Sequence, residues 1–137
     1  MTEMTFAERF ERREIPAESF GHREHVQAAF ELLRKYPFIE ATMRYAGVIE
    51  DMAAAAGAAQ KFSVTITVAF MGLIAEKIEI SGEEDFDSFY TANPDLSGQA
   101  LAPWYSASRL SCDLSRKIFL MPDLNARPDA ELNTASF

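Results

Sequence analysis

The chain has 137 residues, which is enough for one domain with a sizeable core and too few for two. Its composition, with 48% hydrophobic and 12% aromatic residues, excludes an intrinsically disordered chain. The 13 basic and 21 acidic residues give a net charge of −8, an acidic balance that repels nucleic acid, and the single cysteine excludes an intrachain disulfide.

The N-terminal part of the chain predicts a short helical segment followed by a long helix. Two phenylalanines spaced i, i+4 lie within residues 5–13, a segment that must end before Pro16. A long amphipathic helix is predicted from about residue 21 to residue 36, because Pro37 disfavours a helical conformation at the residue before it.

A second long helix is predicted from about residue 38 to residue 56. Tyr45, Val48 and Met52 lie on its apolar face. The run of four alanines at its end favours a helix intrinsically, and Gly57 supplies the C-terminal cap.

Residues 63–80 carry two competing patterns. Residues 63–68 alternate polar and β-branched side chains as a strand would, whereas Val64 and Met71 fit one face of a helix. The helical pattern continues for about eighteen residues to Gly82, and this length favours a helix. Because this segment carries the longest uncharged run, we expect its helix to lie at the centre of the domain.

That uncharged run, residues 62–75, also bears on location. Its fourteen residues are fewer than the roughly 20 that a membrane-spanning helix needs. The N-terminus lacks the charged region followed by an apolar region that marks a secretory signal. We therefore expect a cytoplasmic protein with no membrane partner.

The last third of the chain predicts short helices. Asp85 can cap one of them, and Ser106 and the run at residues 111–113 can each cap a further turn. The proline, asparagine and alanine content near the end indicates a surface tail. The predicted fold is therefore all-α, a single small helical domain at residues 1–124 with three longer helices plus short C-terminal helices, followed by a tail at residues 125–137.

The only two histidines, His22 and His25, lie three residues apart at the start of the first long helix. Residues at i and i+3 share a helix face, so both imidazoles can reach the same proton, substrate or metal ion. The pair continues the apolar stripe of Val26, Ala29 and Phe30 and therefore points toward the core. Such a pair indicates a functional site, although core histidines that are merely hydrogen-bonded are the structural alternative.

Four segments of the chain resemble an uncharacterised family of small helical bacterial proteins. They are FGHREHVQAAFELLRKYPFIEA, AAAAGAAQKFSVTITVAFMGLIAEK, FDSFYTANPDL and YSASRLSCDLSRKIFLMPDL. Members of that family resemble one another in an F-x-H-x-x-H-[VL] helix start, a tyrosine-histidine-glutamate-threonine motif that opens the third helix, and a closing Pro-Asp-Leu. The resemblance covers residues 20–124 and implies the fold rather than an activity.

Carried over residue by residue, the resemblance implies an altered site. His22 and His25 match the histidine pair of the family, and Thr65 matches its threonine. Ser63 and Val64 stand where the family has histidine and glutamate. If the family site is a metal centre, this chain has lost two of four candidate ligands, and two histidines alone would hold a divalent metal weakly.

Three interpretations of the histidine pair stay open. The first is a metal-free, cofactor-independent enzyme of isomerase, cyclase or lyase type, with His22 and His25 as general base and acid. The second is a metal-dependent enzyme in which acidic residues complete the ligand set. The candidates for that role are Glu24, Glu40, Glu50 and Asp51. The third is a non-catalytic ligand-binding or dimerisation module.

The first interpretation is preferred, because the chain has no dinucleotide fingerprint, phosphate loop or nucleophile elbow. Ser63 and Val64 in place of histidine and glutamate make the pocket more apolar, which favours a hydrophobic small-molecule substrate between the first and third long helices. We expect no cofactor and no metal, and homodimer formation stays open. The residues expected to contact the substrate are Tyr45, Ser63, Thr67, Met71 and Trp104.

Burial also predicts the protonation of the histidine pair. We expect partial burial to lower the pKa of at least one imidazole, so that it is neutral near pH 7 and able to accept a proton. Glu24 or a hydroxyl group would then fix the tautomer of the other imidazole.

Overall fold

The computed structural model describes residues 3–124, and every regular element within them is helical. The three long helices are α2 (His22–Lys35), α3 (Phe38–Ala55) and α4 (Val64–Ser81). The short helices are α1 (Phe6–Glu11), α5 (Phe86–Ala92), α6 (Ala107–Ser111) and α7 (Asp113–Lys117). The predicted all-α class is confirmed, and no strand forms at residues 63–68. The predicted surface tail at residues 125–137 lies outside the described residues.

Local capping groups decide where several helices begin and end. The Ser63 hydroxyl accepts a hydrogen bond from the Ile66 N–H at 3.1 Å and starts α4, and the Asp85 carboxylate accepts from the Ser88 N–H at 2.9 Å and starts α5. At the end of α4, Gly82 has φ 68°, a left-handed conformation that glycine adopts without strain. The predicted cap at Asp85 and the predicted stop at Gly82 are both confirmed.

The centre of the domain is shared by α2 and α4. Helix α2 packs against α1, α3, α4 and α5, while α4 packs against α2, α3, α5 and α7. Fully buried side chains include Leu32 on α2 and Met71 and Ile74 on α4, each of which contributes about 2 kcal/mol through burial. Within the described part of the chain, none of the helices combines the length and the apolar character that a membrane crossing requires. The helix predicted to be central is therefore central, with α2 as its equal.

Stacked aromatic rings connect α1, α2 and α3. The Phe10 ring lies 5.5 Å from that of Phe20 and 5.7 Å from that of Tyr45, measured between centroids. Phe20 in turn contacts the His25 ring edge-on at 4.5 Å. This cluster holds the first turn of α2, and with it the histidine pair, against α3.

Residues 97–124, here called the C-terminal layer, pack along the first half of α4. The Thr65 hydroxyl donates to the Ile118 carbonyl at 2.7 Å and accepts from the Leu120 N–H at 3.0 Å. The Tyr105 hydroxyl donates to the Leu120 carbonyl at 2.8 Å. Because Thr65 is fully buried, its two bonds take the place of water and hold the layer against α4.

Candidate active site

A cavity of about 590 Å³ lies where α2, α3, the start of α4 and the C-terminal layer meet. Its apolar lining includes Ile49, Phe62, Ile66, Phe70, Leu101 and Leu110. Its polar and ionisable lining includes His22, His25, Lys61, Ser63, Thr67 and Gln99. The volume and the mainly apolar wall match sites that hold small organic molecules. The predicted pocket between α2 and α4 therefore exists, with α3 and the C-terminal layer as additional walls.

His22 is the first residue of α2, and its ring is tied to the backbone. Its Nε2 lies 2.8 Å from the carbonyl oxygen of Leu96. A carbonyl oxygen can only accept a hydrogen bond, so Nε2 must carry the proton. In the neutral ring, Nδ1 is then the unprotonated nitrogen and can act as a base.

His25 is bonded to a side chain instead. Its Nδ1 lies 3.1 Å from the hydroxyl of Tyr45, a residue that is 3% exposed. Within the described residues this hydroxyl has no other hydrogen-bond partner, so its proton would be unsatisfied unless it is donated to Nδ1. Tyr45 therefore donates, and the proton of the neutral His25 ring resides on Nε2.

Burial keeps the His25 ring neutral. Desolvation, with a smaller effect from the neighbouring His22, lowers the pKa of His25 to about 4, and Glu24 only partly opposes this. Burial also raises the pKa of Tyr45, so the phenol keeps the proton that it donates. The prediction that Glu24 or a hydroxyl group fixes the tautomer of the other imidazole is wrong, because the Tyr45 hydroxyl bonds to His25 itself, Glu24 bonds to neither ring, and the backbone carbonyl of Leu96 fixes His22.

The two predicted hydroxyl ligands differ in what they can bind. Ser63 lines the cavity, but its Oγ donates to the Ser115 carbonyl at 3.2 Å and accepts from Ile66 N–H as the cap of α4. The Thr67 hydroxyl, also at the cavity wall, forms no hydrogen bond within the described residues. The Thr67 hydroxyl is therefore available to a ligand, whereas the Ser63 hydroxyl already forms two hydrogen bonds within the protein.

Two of the residues expected to contact the substrate do not line the cavity in the described structure. Met71 is fully buried in the core and is not among the residues that line the cavity, which on α4 end at Phe70. Trp104 belongs to the turns of the C-terminal layer, where its carbonyl accepts from Leu124 N–H at 3.0 Å. Its neighbour Tyr105 forms the cavity wall instead.

Three of the four acidic residues considered as metal ligands have other partners, and the fourth, Glu50, is exposed on α3. Glu24 accepts a hydrogen bond from the backbone N–H that begins α2, at 2.8 Å. Asp51 pairs with Arg13 at 2.9 Å, and Glu40 pairs with Arg44 at 2.8 Å. Across residues 3–124, no three histidine, cysteine, aspartate or glutamate side chains come together in a way that could hold a metal ion.

Several cavity residues were not predicted from the sequence. Phe62, Ile66 and Phe70 form one wall, and their spacing of four residues is a helical pattern that could have identified them. Lys61 precedes that wall and also lines the cavity. The Leu96 carbonyl that orients His22 carries no sequence signal, because every residue has a backbone carbonyl.

Three comparisons with known proteins found no relative of this chain. No family model matches the chain, and no match was found among curated proteins or solved structures. The resemblance to the histidine-pair family of small helical proteins stays a prediction. The chemistry of the cavity is therefore the basis for a functional proposal.

Proposed function

We propose that the chain is a cofactor-independent enzyme that moves a proton on a small hydrophobic substrate, as an isomerase, cyclase or lyase does. The observation that carries this proposal is a pair of imidazoles on one apolar cavity, both held in the Nε2–H tautomer by fixed partners that occupy a different nitrogen of each ring. His22 offers a basic nitrogen and His25 offers an N–H group. The pair thus has the complementary groups that acid–base catalysis requires.

The proposed reaction begins with His22 Nδ1 removing a proton from a carbon next to a carbonyl or imine group. The electron pair of the broken C–H bond moves to the substrate oxygen or nitrogen, where the His25 Nε2–H group stabilises the developing negative charge. His22 then returns the proton to a different atom of the substrate, which is an isomerisation. Alternatively, the electron pair expels a leaving group, which takes the proton from His22 as it departs, and this is an elimination. Electrons and protons balance in both outcomes without a further reactant.

The protonation of His25 supports its role as a hydrogen-bond donor. With a pKa of about 4, this imidazole is neutral at pH 7 and does not attract a counter-ion into the cavity. A neutral N–H group in an apolar site still stabilises developing charge strongly, because the surroundings screen it less than water would.

The cavity wall supports a substrate with a flat or branched apolar body. Phe62 and Phe70 offer ring surfaces, and Leu110 of the C-terminal layer adds an aliphatic side chain to the cavity wall. The Thr67 hydroxyl is available to one polar group of the substrate. Such a mainly apolar wall with a few polar contacts is typical of small-molecule sites.

A model reaction tests the base without knowledge of the natural substrate. In 5-nitrobenzisoxazole a base removes the C3 proton, the N–O bond breaks and a coloured cyanophenolate forms, so one proton transfer gives the whole signal. We expect His22→Gln to lower kcat/KM by roughly 10²-fold, the usual contribution of a general base, and His25→Gln to have a smaller effect. Glutamine can keep the hydrogen bond to the Leu96 carbonyl, so the fold is retained.

The matched control is Gln27→Ala, on the same helix. Gln27 bonds to Glu31 and does not line the cavity, so its removal leaves the model reaction unchanged. Equal rates for wild type and His22→Gln would show that His22 is not the base.

A non-catalytic binding module is the second candidate, and one observation favours it. Both histidines already have hydrogen-bond partners in the protein, as purely structural core histidines do. NMR spectra of a ligand recovered after incubation distinguish the two candidates. A ligand that binds and is always released unchanged supports the module, and a ligand that is released altered supports the enzyme.

The main proposal includes two further points. The enzyme works without a metal ion, and it is a cytoplasmic protein. The support for metal-free activity is that no third side chain in residues 3–124 joins the two histidines to form a metal site. Elemental analysis of the purified protein is the test. About one zinc, nickel or iron per chain, lost in His22→Ala, would favour the metal-dependent alternative.

A further inference from the structure

The charges around the cavity differ from those of the chain as a whole. The sequence has an excess of acidic residues and a net charge of −8. Yet no aspartate or glutamate is among the described residues that line the cavity, whereas one lysine, Lys61, is. The cavity therefore presents a positive group within a negatively charged protein, and this contrast favours a ligand that carries a negative charge.

Lys61 has a defined place at this cavity. It ends the single helical turn Ala59–Lys61 between α3 and α4, where its N–H donates to the Ala58 carbonyl at 2.9 Å. Two other lysines are used in ion pairs, Lys35 with Glu11 and Lys77 with Asp95, but Lys61 forms none within the described residues. Lys61 is an exposed residue, and its side chain is available to a ligand.

The start of α4 adds to the positive potential. Helix α4 begins at Val64. The three residues directly before it, Lys61, Phe62 and Ser63, all line the cavity. The first N–H groups of an eighteen-residue helix carry partial positive charge. The helix dipole and the lysine therefore act on a ligand from the same side of the cavity.

We propose that the natural ligand is an amphipathic monocarboxylate, with its apolar body in the cavity and its carboxylate bound at Lys61. The inference rests on the proposed function, because it names the substrate class of the same site. Lys61 is the only lysine or arginine among the described residues that line the cavity, so a ligand with a single negative charge is matched there.

A matched pair of fluorescent probes tests the inference. 2-Naphthylacetate and 2-(2-naphthyl)ethanol share the same aromatic body and differ in the carboxylate. We expect the wild-type protein to bind the acid at least about tenfold more tightly than the alcohol at low salt, and this preference to shrink as salt is added. The measurement is a fluorescence titration at pH 7.

Three variants define the role of the lysine. Lys61→Met removes the charge and keeps much of the side-chain length, so we expect it to abolish the preference for the acid and to leave binding of the alcohol unchanged. Lys61→Arg keeps the charge and should keep the preference. Lys117→Met is the matched control, because Lys117 is exposed on α7 and does not line the cavity.

Equal binding of acid and alcohol by the wild type would overturn the inference, as would a preference that survives Lys61→Met or a failure to bind either probe. These results are separable from a failure of the proposed function. The alcohol measures the cavity without the charge, and the 5-nitrobenzisoxazole assay measures the base with an uncharged substrate.

Discussion

Tyr45 and His25 form a buried pair whose proton positions depend on each other. The phenol is almost fully enclosed, and the His25 Nδ1 atom at 3.1 Å is the acceptor that its proton requires. Donation by Tyr45 leaves the His25 proton on Nε2, the nitrogen that the proposed mechanism uses. The tautomer of one histidine is therefore decided by a residue twenty positions away in the sequence.

Tyr45→Phe removes the donor and keeps the ring. We expect His25 to change from the Nε2–H tautomer to a mixture of both tautomers, because Nδ1 no longer accepts a hydrogen bond. The loss of one hydrogen bond should lower the free energy of unfolding by about 1 kcal/mol. The ¹⁵N chemical shifts of the imidazole report the tautomer directly, and identical shifts in wild type and variant would contradict the assignment of Tyr45 as donor.

Stability should depend on pH through His25. The pKa of this group is lowered in the fold to about 4, against an ordinary value of 6.5, so between these values the unfolded chain binds a proton that the folded chain does not. The contribution of neutral His25 to the free energy of unfolding is fully present above pH 6.5 and is lost as the pH falls toward 4. We expect the wild-type free energy of unfolding to fall by about 2 kcal/mol between pH 7 and pH 5 from this group alone.

His25→Gln is the comparison that isolates this effect. Carboxyl groups with lowered pKa values, such as Asp85 bonded to the Ser88 N–H and Asp123 bonded to Ser106, lose their contribution mainly below about pH 5. Urea denaturation at pH 7 and pH 5 therefore measures the effect of His25 with little effect from the carboxyl groups. If wild type and His25→Gln lose the same free energy between these two pH values, His25 is not the group responsible.

At the scale of elements, the first turn of α4 serves both the cavity and the fold. Ser63 begins the helix and also bonds to the C-terminal layer, Thr65 holds that layer, and Thr67 lines the cavity. Two threonines that lie two residues apart on one helix thus have different roles. Their hydrogen bonds, and not their residue type, distinguish them.

Thr65→Val tests the structural role. Valine has nearly the same shape but leaves the Ile118 carbonyl and the Leu120 N–H without their partner. We expect the free energy of unfolding to fall by about 2 to 3 kcal/mol, because buried polar groups without partners are costly. Thr67→Val is the matched control, and its hydroxyl forms no hydrogen bond within the described residues, so we expect a loss below about 1 kcal/mol. Equal losses in urea denaturation would contradict this division of roles.

At the scale of the whole molecule, one core connects the long helices with the C-terminal layer. Helix α4 packs against α2 and α3 on one side and against α7 on another. Trp104, the single tryptophan, lies in the C-terminal layer, so its fluorescence reports that layer while circular dichroism reports the long helices. The two signals therefore follow different parts of one structure.

We expect both signals to give the same midpoint in urea, because the layer cannot leave α4 without exposing the buried Thr65 hydrogen bonds and part of the core. Two separate midpoints would show that the C-terminal layer unfolds independently. Thr65→Val offers a further check, since it should lower both midpoints together.

The sequence by itself determined the helical class, the approximate limits of the long helices and the position of the two histidines at the start of α2. These features follow from local rules. Apolar spacing gives α2, Pro37 separates α2 from α3, Gly82 ends α4, and His22 and His25 share a face because of the helical repeat. The strand-like alternation at residues 63–68 was resolved by length, since a helix-forming pattern continued beyond it.

The tertiary structure alone decided the chemistry of each imidazole and the walls of the cavity. His22 meets a carbonyl 74 positions away, and His25 meets a hydroxyl on another helix. Met71 and Trp104 were expected at the cavity and do not line it, because Met71 is enclosed in the core and Trp104 lies in the turns of the C-terminal layer. Tautomers, pKa values and cavity linings are properties of neighbours in space, and long-range packing, which sequence periodicity does not encode, brings those neighbours together.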